Sequence, residues 1–259
     1  MQTVQTNNVS GKSSYTAAVS NVLLDESSEM KQEVLPFTIR VVENREDLMK
    51  VVNLRYEAYA RHVPELANIL KEPEVFDFEK DTAILIVESK LDNSTLGTMR
   101  IQTNRINPLK FESSVTLPWD LQGKSLSEAD RLCVTASRMG RIVKVMLFKA
   151  YFQYCVQEGL EWMVITARAP IDKTYESLLF KDIYPDAEDK YVPMSASADV
   201  PHRVMKFHVP SAQALWEKNG HPLYEFVFET FHPDIMLGDA NNELIMGDSV
   251  NSNQNYAIM

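Results

Sequence analysis

Apolar residues in the first hundred positions alternate between the two-residue period of strands and the three- to four-residue period of helices. Residues 36–42 predict a first strand, and Asn44 is a suitable N-cap for the helix expected after it. The expected inner face of this helix comprises Leu48, Val51, Val52, Tyr56 and Tyr59. Residues 60–80 are rich in prolines and acids, which predicts a loop or a broken helix.

Two further strands are predicted beyond that segment. Residues 82–89 and 96–103 are apolar and β-prone, and the Asp-Asn-Ser sequence at 92–94 predicts a hairpin turn between them. Residues 107–127 predict a loop with an apolar anchor at Leu117, Pro118 and Trp119.

The centre of the chain predicts a strand, a helix and a second strand. Residues 132–136 form a β-prone run that residues 137–140 interrupt. Residues 142–156 carry apolar side chains on two faces, which predicts a helix buried on both sides, and residues 162–166 predict the second strand. This order is typical of a parallel crossover. The loop entering the helix offers backbone N–H groups and arginines, which suit an anionic group.

The last third of the chain has a less regular pattern. Residues 172–181 predict a helix, residues 204–209 predict a strand, and Ser211 is the expected cap of a helix that ends near Lys218. Residues 224–231 fit either a strand or a helix. Strands first, then a strand–helix–strand unit, then another helix and strand predict an α/β fold on one mixed sheet.

Composition sets the limits of the folded domain. Residues 1–34 are polar and predict a disordered leader, and residues 239–259 predict a flexible tail, which leaves one domain at 35–238. The 259 residues, 45% hydrophobic and 24% charged, suffice for a single core. No apolar run approaches the roughly 20 residues of a membrane-spanning helix. Because residues 1–20 also lack an apolar signal core, a cytoplasmic location is expected.

Charge and motif content narrow the possible functions. The formal net charge of −10 argues against broad nucleic-acid binding. Cys133 and Cys155 lie in apolar patterns, which favours reduced core residues over a disulfide. The histidines lack metal-ligand spacing, so no metal site is expected. The chain also has no nucleophile elbow, phosphate loop or dinucleotide fingerprint.

A basic run interrupts this acidic chain. Every charged residue from position 131 to 149 is basic, namely Arg131, Arg138, Arg141, Lys144 and Lys149. Such a run is either a solvated helix face or a dock for an acidic partner or a phosphate.

Several charged residues lie on otherwise apolar elements. Arg55 and Tyr59 share a helix face because they are four residues apart. Arg100 lies inside a predicted strand, where an unpaired arginine is rarely buried. Glu128 and Arg131 are three apart, so on a regular strand they face opposite sides unless a β-bulge intervenes.

The motif Glu-x-x-Arg-Leu-x-Val at residues 128–134, followed by a loop and a long helix, resembles the centre of bacterial N-acyl amino acid synthases. Those proteins are related to the acyl-homoserine-lactone synthases within the GNAT acyltransferase superfamily. The resemblance covers roughly residues 37–209. It implies a GNAT-like α/β fold, with a mixed, mostly antiparallel central sheet, a splayed strand pair and flanking helices. It also implies a bulge in the fourth strand.

By the same resemblance, a set of charged and aromatic residues forms one site. The lactone synthases have an arginine followed four residues later by an aromatic residue, then two aspartates, a strand arginine and Glu-x-x-Arg. The matching positions are Arg55, Tyr59, Asp77, Asp81, Arg100, Glu128 and Arg131. Glu128 and Arg131 are the expected catalytic pair, and the others are expected to bind the acceptor. Arg100 and Arg131 could hold an acceptor carboxylate or lock the protein's own carboxylates in place.

Two departures from the family pattern bear on the substrates. Glu65 stands where the lactone synthases have a tryptophan, which argues against S-adenosylmethionine as acceptor. Residues 138–141, Arg-Met-Gly-Arg, are a degenerate form of the turn that binds the pyrophosphate of coenzyme A. A looser turn with two arginines suits the phosphodiester of acyl-phosphopantetheine on an acidic acyl carrier protein, and acyl-coenzyme A stays open as the other donor. The expected donor-binding residues are Val134, Ala136, Arg138, Gly140 and Arg141.

The implied function is transfer of a long-chain fatty acyl group from acyl carrier protein to the amine of an amino acid or similar small amine, with no permanently bound cofactor. Attack of an amine on a thioester needs a base, for which Glu128 is the candidate. It also needs donors for the oxyanion, for which the backbone amides of residues 134–136 are the candidates. The alternatives are an acyl-homoserine-lactone synthase that uses S-adenosylmethionine, and a non-catalytic acyl-binding module.

Overall fold

The computed structural model describes residues 30–194 and 200–238. The chain divides into two units, with the boundary after Lys31. The elements named below belong to the second unit, and a two-residue strand, Lys31–Gln32, spans the boundary. Residues 1–29 of the predicted leader and the whole predicted tail, 239–259, lie outside the described residues.

The first strand and helix form where the apolar pattern predicts them. Strand β1 (Phe37–Val41) leads into helix α1 (Arg45–His62), whose first turn is capped because the Asn44 side chain accepts the Asp47 N–H. Helix α1 ends just before Pro64, and three single turns follow it: Pro64–Ala67, Asn68–Lys71 and Val75–Phe78. The broken helix expected at residues 60–80 is thus confirmed.

The middle of the chain supplies the elements that frame the site. Strands β2 (Thr82–Ser89) and β3 (Thr95–Thr103) form the predicted hairpin, and Asp92 stabilises its turn by accepting the Ser94 N–H. A 3₁₀ turn (Lys110–Ser113) follows the hairpin. The next three elements are strand β4 (Leu126–Val134), helix α3 (Arg138–Gln157) and strand β5 (Trp162–Ala167). The four-residue helical turn Pro64–Ala67 is numbered α2.

The last third of the chain forms mostly short elements. They are α4 (Asp172–Ser177), β6 (Lys181–Asp182), β7 (Val192–Met194), β8 (Val200–His208), α5 (Ala212–Lys218), a π-helical turn (Glu225–Glu229), β9 (Thr230–Phe231) and β10 (Ile235–Met236). Ser211 takes the predicted N-cap position of α5, but its hydroxyl bonds the His208 ring and not a helix N–H. Residues 224–231, which fitted either a strand or a helix, contain both.

The main sheet is mixed and mostly antiparallel, as predicted. Its strands lie in the order β10-β1-β2-β3-β4-β5-β8-β6, and β7 pairs with β8. Only the pairs β10–β1 and β4–β5 within this order are parallel. The parallel pair β4–β5 is joined through α3, which confirms the predicted crossover unit.

Strands β4 and β5 separate part of the way along their length. Their pairing runs from Leu126 opposite Trp162 to Ala129 opposite Ile165, and there it stops. Beyond Ala129, β4 stays paired only with β3, and β5 stays paired only with β8. The splayed strand pair is therefore confirmed, and it leaves a gap in the middle of the sheet.

A β-bulge lies in β4 beside this gap. Thr98 is opposite Cys133 and Arg100 is opposite Asp130, so β4 holds one extra residue in this interval. Arg131 takes the left-handed conformation with φ of 51°, which costs a residue with a Cβ atom on the order of 1 kcal/mol. The bulge expected from the resemblance is confirmed, and it breaks the alternation that would put Glu128 and Arg131 on opposite faces.

Four sequence-based expectations about exposure and boundaries were wrong. The helix predicted over residues 172–181 ends at Ser177, and Lys181 belongs to strand β6. Tyr56 is 36% exposed because the buried stripe of α1 passes through Leu54, Arg55 and Ala58 instead. Trp119 is 86% exposed, and the loop is anchored by other buried residues, Leu109, Phe111 and Leu121. Strand β4 begins at Leu126 and not at residue 132, because the carboxylates at 128 and 130 hide its first half from an apolar pattern.

Helix α3 packs deep against the sheet. Its buried residues include Val143, Met146, Leu147, Ala150, Tyr151 and Cys155, which confirms burial on both predicted faces. A Cβ atom at Gly97 of β3 would collide with the Val143 side chain, so glycine permits the close approach of strand and helix. No helix in the described ranges is both long and apolar enough to cross a membrane.

Candidate active site

A cavity of about 690 Å³ opens at the gap between β4 and β5. This volume lies within the range of small-molecule sites. Polar groups in its wall include Tyr59, Arg61, Glu74, Lys110, Glu128, Asp130, Arg131, Lys144, Thr166, Arg168 and His202. Apolar side chains in its wall include Ala129, Leu132, Ala167, Ile171, Met194 and Val200. The cavity can therefore accept a ligand with both a charged and an apolar part.

Arg131 is fixed in the cavity wall by a planar ion pair. Its Nε and Nη2 atoms donate to the two carboxylate oxygens of Glu74 at 2.8 and 2.6 Å, and its Nη1 atom lies 3.3 Å from the Tyr59 hydroxyl. Burial opposes ionisation of Glu74, yet the hydrogen bond from Arg131 and the charge of Arg100 lower its pKa to about 2. Glu74 is therefore a permanent anion that holds Arg131 in place.

A second layer of charges lies beneath the wall. Arg100 is fully buried and donates from Nε and Nη2 to Asp130 at 2.8 and 2.7 Å. Its Nη1 atom lies 2.9 Å from Asp77 and 3.1 Å from Glu74. Arg55, also buried, donates to both oxygens of Asp77 at 2.8 and 2.9 Å. The six residues Arg55, Glu74, Asp77, Arg100, Asp130 and Arg131 form one continuous set, called here the charge network.

The charge network gives different positions to residues that the sequence grouped together. Tyr59, Glu128 and Arg131 line the cavity, whereas Arg55, Asp77 and Arg100 are buried outside its wall, with Asp77 bonded to both arginines. Arg100 therefore locks carboxylates in place, which is the second of its two expected roles. Asp81 lies apart from the network, at the start of β2, where its carboxylate is 3.4 Å from the backbone N–H groups of Ile106 and Asn107.

Glu128 differs from the other two carboxylates in the cavity wall because Glu74 and Asp130 form ion pairs with basic side chains, whereas Glu128 has no direct ion pair with a described residue. It is 3% exposed, and its carboxylate accepts the Phe111 N–H at 3.3 Å and lies 3.5 Å from the Thr166 hydroxyl. Burial raises its pKa to about 7, the charge of Asp130 adds to the rise, and Lys110 limits it. A carboxyl group with such a pKa can exchange a proton near neutrality, as a general base must.

Lys110 is a site residue that sequence reasoning missed. Its Nζ atom lies 2.5 Å from an Asp130 carboxylate oxygen and 4.0 Å from the centre of the Phe76 ring. The 3₁₀ turn that carries Lys110 also supplies the Phe111 N–H to Glu128. Because the loop at 107–127 showed no periodicity, only its contacts reveal this role.

Glu74, Asp130 and Thr166 were also missed. Asp130 follows Glu128 by two residues, so the period of a strand could have placed both carboxylates on one face. Burial opposes ionisation of Asp130, but Arg100 and Lys110 hold its pKa well below the usual range, so it stays charged beside Glu128. No local signal in the sequence identified Glu74 or Thr166.

A second cavity, of about 450 Å³, lies at the N-terminus of α3. Its wall contains all five predicted donor-binding residues, Val134, Ala136, Arg138, Gly140 and Arg141, together with Thr135, Ser137 and Lys144. Ser137 caps the helix by accepting the Gly140 N–H at 3.1 Å. A Cβ atom at Gly140 would collide with the Thr135 carbonyl, so the tight turn requires glycine. The Thr135 N–H is already bonded to Leu96 O at 3.0 Å, which removes it from the expected oxyanion donors.

The basic run on α3 does not form one surface. Lys149 is fully buried, and its Nζ atom bonds Phe226 O at 2.7 Å, the His232 ring at 2.9 Å and Thr230 O. Burial lowers its pKa to about 8. Lys144 lines both cavities, and only Arg138 and Arg141 are exposed at the entrance to α3. The expectation that Lys149 belongs to a basic surface was therefore wrong, because the helix turns it toward the C-terminal segment.

Side chains that could bind a metal ion are not clustered in the described residues. Across residues 30–194 and 200–238, no group of three or more His, Cys, Asp or Glu side chains could hold a metal ion. Both cysteines are free and buried, and Cys133 lies in the wall of the larger cavity. Burial raises the pKa of the Cys133 thiol to about 11, so this thiol is not a ready nucleophile.

Three solved structures superpose on most of this chain. FeeM, an N-acyl amino acid synthase from uncultured soil microbes, superposes with a TM-score of 0.53 at 16% identity, over 71% of this chain and 96% of that chain. The CoA-dependent acyl-homoserine lactone synthase BjaI gives a TM-score of 0.48 at 14% identity, over 76% and 93%. A putative N-acetyltransferase from Lactobacillus plantarum gives 0.47 at 12% identity, over 68% and 99%. The superposition on FeeM supports the GNAT-like fold.

Sequence comparison supplies the family. No curated protein matches the chain. Residues 50–198, more than half of the chain, match the sequence profile described as N-acyl amino acid synthase FeeM. This match begins inside α1 and extends past β7. It includes Glu128, the whole charge network and the residues of β4 and α3 that line the two cavities. The chain therefore belongs to the FeeM family of N-acyl amino acid synthases.

Proposed function

We propose that this protein transfers a long-chain fatty acyl group from the thioester of acyl carrier protein to the amine of an amino acid by direct attack. Membership of the FeeM family makes the chain an acyltransferase, and the donor and acceptor are the parts proposed here. The observation that carries the proposal is Glu128, a buried carboxyl group with a pKa of about 7 in the wall of the cavity between β4 and β5.

The proposed reaction uses Glu128 as general base. An α-amino group has a pKa near 8, so it needs to lose a proton before or during attack on a thioester. Glu128 takes this proton directly or through one water molecule while the nitrogen bonds the acyl carbon. The carbon–sulfur bond then breaks, and the phosphopantetheine thiol leaves with a proton. This route forms no acyl-enzyme and uses no protein nucleophile.

The unpaired edge of β4 is suited to the thioester. Beyond Ala129, the side of β4 that faces β5 has no strand partner, so its peptide groups are candidates to bind pantetheine and the developing oxyanion. The charge network keeps this edge in place from below, through Asp130 and Arg131. Both residues lie in the bulged part of β4 and pair with Arg100 and Glu74.

The entrance to α3 supports acyl carrier protein as the donor. Arg138 and Arg141 are exposed, and no ion pair joins either to a residue in the described ranges. They border the smaller cavity, whose helix N-terminus suits the phosphodiester of phosphopantetheine. Two free arginines beside a phosphate site can also meet the acidic surface of a carrier protein. A cytoplasmic location, where such a donor would be met, stays a prediction.

Charge reversal at this entrance should separate the two donors. For Arg138→Glu with Arg141→Glu, we expect kcat/KM with acyl carrier protein to fall about tenfold or more, because steering by complementary charge is lost. The wild-type rate with that donor should also fall as salt rises, since the Debye length shortens. The rate with a short acyl-pantetheine thioester should change less than about twofold in either case.

The matched control for this experiment is Lys181→Glu with Lys218→Glu, which reverses two exposed lysines outside both cavities and changes net charge equally. Its rates should equal those of the wild type. If acyl-coenzyme A is the better donor and salt has no effect, acyl carrier protein is not the donor, and the two arginines are only a solvated surface.

Lys110 should set the pH at which the base works. Lys110→Met removes the positive charge that limits the pKa of Glu128, so this pKa should rise further above 7. We expect roughly fivefold lower kcat at pH 7 and near wild-type kcat above pH 9. Lys110→Arg keeps the charge and should restore most of the profile. Measuring kcat against pH with saturating acceptor tests this, and an unchanged acid limb in Lys110→Met would exclude electrostatic control by Lys110.

A further inference from the structure

The wall of the larger cavity contains more positive than negative groups once its internal pairs are accounted for. Glu74 is paired with Arg131, and Asp130 is paired with Arg100 and Lys110. The three remaining cations, Arg61, Lys144 and Arg168, have no ion pair with any residue of the described ranges. Because Arg100 and Arg131 are engaged by the protein's own carboxylates, one of these three is free to meet an anionic group of a substrate.

Arg61 and Lys144 belong to the donor side of the cavity. An Arg61 Nη2 atom lies 3.4 Å from the Val134 carbonyl, and Val134 also lines the smaller cavity at the entrance to α3. Lys144 lines both cavities. These two cations therefore lie along the path that joins the helix N-terminus to the gap between the strands.

Arg168 lies directly beyond the end of β5 and also lines the cavity. Thr166, whose hydroxyl is 3.5 Å from Glu128, precedes it by two residues, and both residues line the cavity. Two residues along an extended chain span about 6.6 Å, a gap that an arginine side chain can close. If the amine of an amino acid lies at Glu128, the carboxylate on the same α-carbon therefore lies within reach of the Arg168 side chain.

His202 also lines the cavity near Arg168, and it does not neutralise the positive charge of Arg168. The His202 Nδ1 atom bonds the Val200 carbonyl at 2.7 Å, which fixes the ring. Burial and the neighbouring Arg168 lower the pKa of His202, against the opposing effect of its hydrogen bond with Val200, and this favours the neutral imidazole. Arg168 therefore carries the positive charge of this part of the cavity wall.

We infer that Arg168 binds the α-carboxylate of the amino-acid acceptor. This inference rests on the proposed function. A planar guanidinium can hold a carboxylate with two parallel hydrogen bonds, which fixes the orientation of the amino group toward Glu128. Arg168 is a specificity-determining residue in this scheme, since the proton transfer belongs to Glu128.

The test compares a panel of free L-amino acids with the matching L-amino acid amides as acceptors. The amides keep the amine and side chain but lose the negative charge. For the wild type we expect kcat/KM to favour the acid roughly 10- to 100-fold, the range for loss of a charge-assisted hydrogen bond. Arg168→Gln should remove this preference by raising KM for the acid, with less than about a twofold change for the amide.

Two further variants complete the comparison. Arg168→Lys keeps the charge and should retain part of the preference for the acid, which a purely structural role would not predict. Arg61→Gln removes the other unpaired arginine of the wall and should leave the preference intact. If Arg168→Gln still distinguishes acid from amide as the wild type does, Arg168 does not bind the carboxylate.

Equilibrium binding separates this inference from the proposed function. Calorimetric titration of the same amino acids into the protein without donor should give binding to the wild type and at least tenfold weaker binding to Arg168→Gln. If that difference appears and no acyl transfer occurs with any donor, the carboxylate site stands and the proposed function fails. If transfer occurs and Arg168→Gln binds and uses amino acids normally, the proposed function stands and the site is overturned.

Discussion

Glu128→Gln is expected to lower kcat by about 10²–10⁴, the range for removal of a general base. Glutamine has nearly the same shape, and its side-chain oxygen can still accept the Phe111 N–H that now lies 3.3 Å from Glu128. The cavity and both substrate sites should therefore be unchanged. Only the capacity to take a proton from the attacking amine is lost, so KM for the donor should move little.

The same substitution should stabilise the protein at alkaline pH. The pKa of Glu128 is raised from 4.5 to about 7, so the folded state holds its proton more tightly than the unfolded state. The stability that this proton contributes is fully present below pH 4.5 and is lost as pH rises through 7. Because glutamine stays neutral, Glu128→Gln should gain about 3 kcal/mol above pH 7, and about 2 kcal/mol of that gain should appear between pH 5.5 and 8.

Urea unfolding at several pH values, together with turnover at saturating amine, measures both effects. Glu57→Gln, an exposed carboxylate of α1, serves as control and should change neither. Near-normal turnover in Glu128→Gln would remove Glu128 from the mechanism. If the stability difference between Glu128→Gln and the wild type does not increase from pH 5.5 to pH 8, Glu128 is not a buried carboxyl group with a raised pKa.

Asp77→Ala is the substitution expected to cost the most stability, about 3–5 kcal/mol, the loss typical when one partner of a buried ion pair is removed. Asp77 bridges Arg55 and Arg100, which are both at most 1% exposed, and it also accepts the Glu74 N–H at 2.9 Å. Removing it leaves two buried guanidinium groups with too few acceptors. Because Arg100 also holds Asp130, the loss should extend to the bulged part of β4.

Chemical unfolding at pH 7 tests this expectation, with Glu161→Ala as the control. Glu161 pairs with Lys124 at 3.0 Å, but both side chains are about two-fifths exposed, so its removal should cost less than about 1 kcal/mol. A cost for Asp77→Ala as small as that of the control would mean that the charge network contributes little to the fold. Its role would then be limited to positioning Glu74, Asp130 and Arg131.

The sequence predicted elements well where the signal is local. The Asn44 cap and the hairpin turn at Asp92 each depend on a few neighbouring residues. The predicted strand boundaries were wrong where charged residues interrupt an apolar pattern. Strand β4 carries Glu128 and Asp130 in its buried first half, and these carboxylates are tolerated only because distant arginines and Lys110 surround them.

The candidate site could be predicted only in part for a related reason. The resemblance brought together Tyr59, Glu128 and Arg131, and the bulge at Arg131 explains how residues three apart reach one cavity. Glu74 and Lys110 come from loops without periodicity, so their roles depend on tertiary contacts. Lys149 shows the reverse case: it looks like part of a basic surface in the sequence, but it is bonded inside the protein to backbone carbonyls.

Product analysis tests the central claim most directly. The purified full chain would be incubated with long-chain acyl carrier protein, a mixture of the free L-amino acids and S-adenosylmethionine, and the products identified by mass spectrometry. We expect an N-acyl amino acid and an equal amount of deacylated carrier protein, with formation greatly slowed in Glu128→Gln. Release of methylthioadenosine with an acyl lactone would identify a lactone synthase instead. Acyl carrier protein that binds tightly without losing its acyl group would contradict the account altogether.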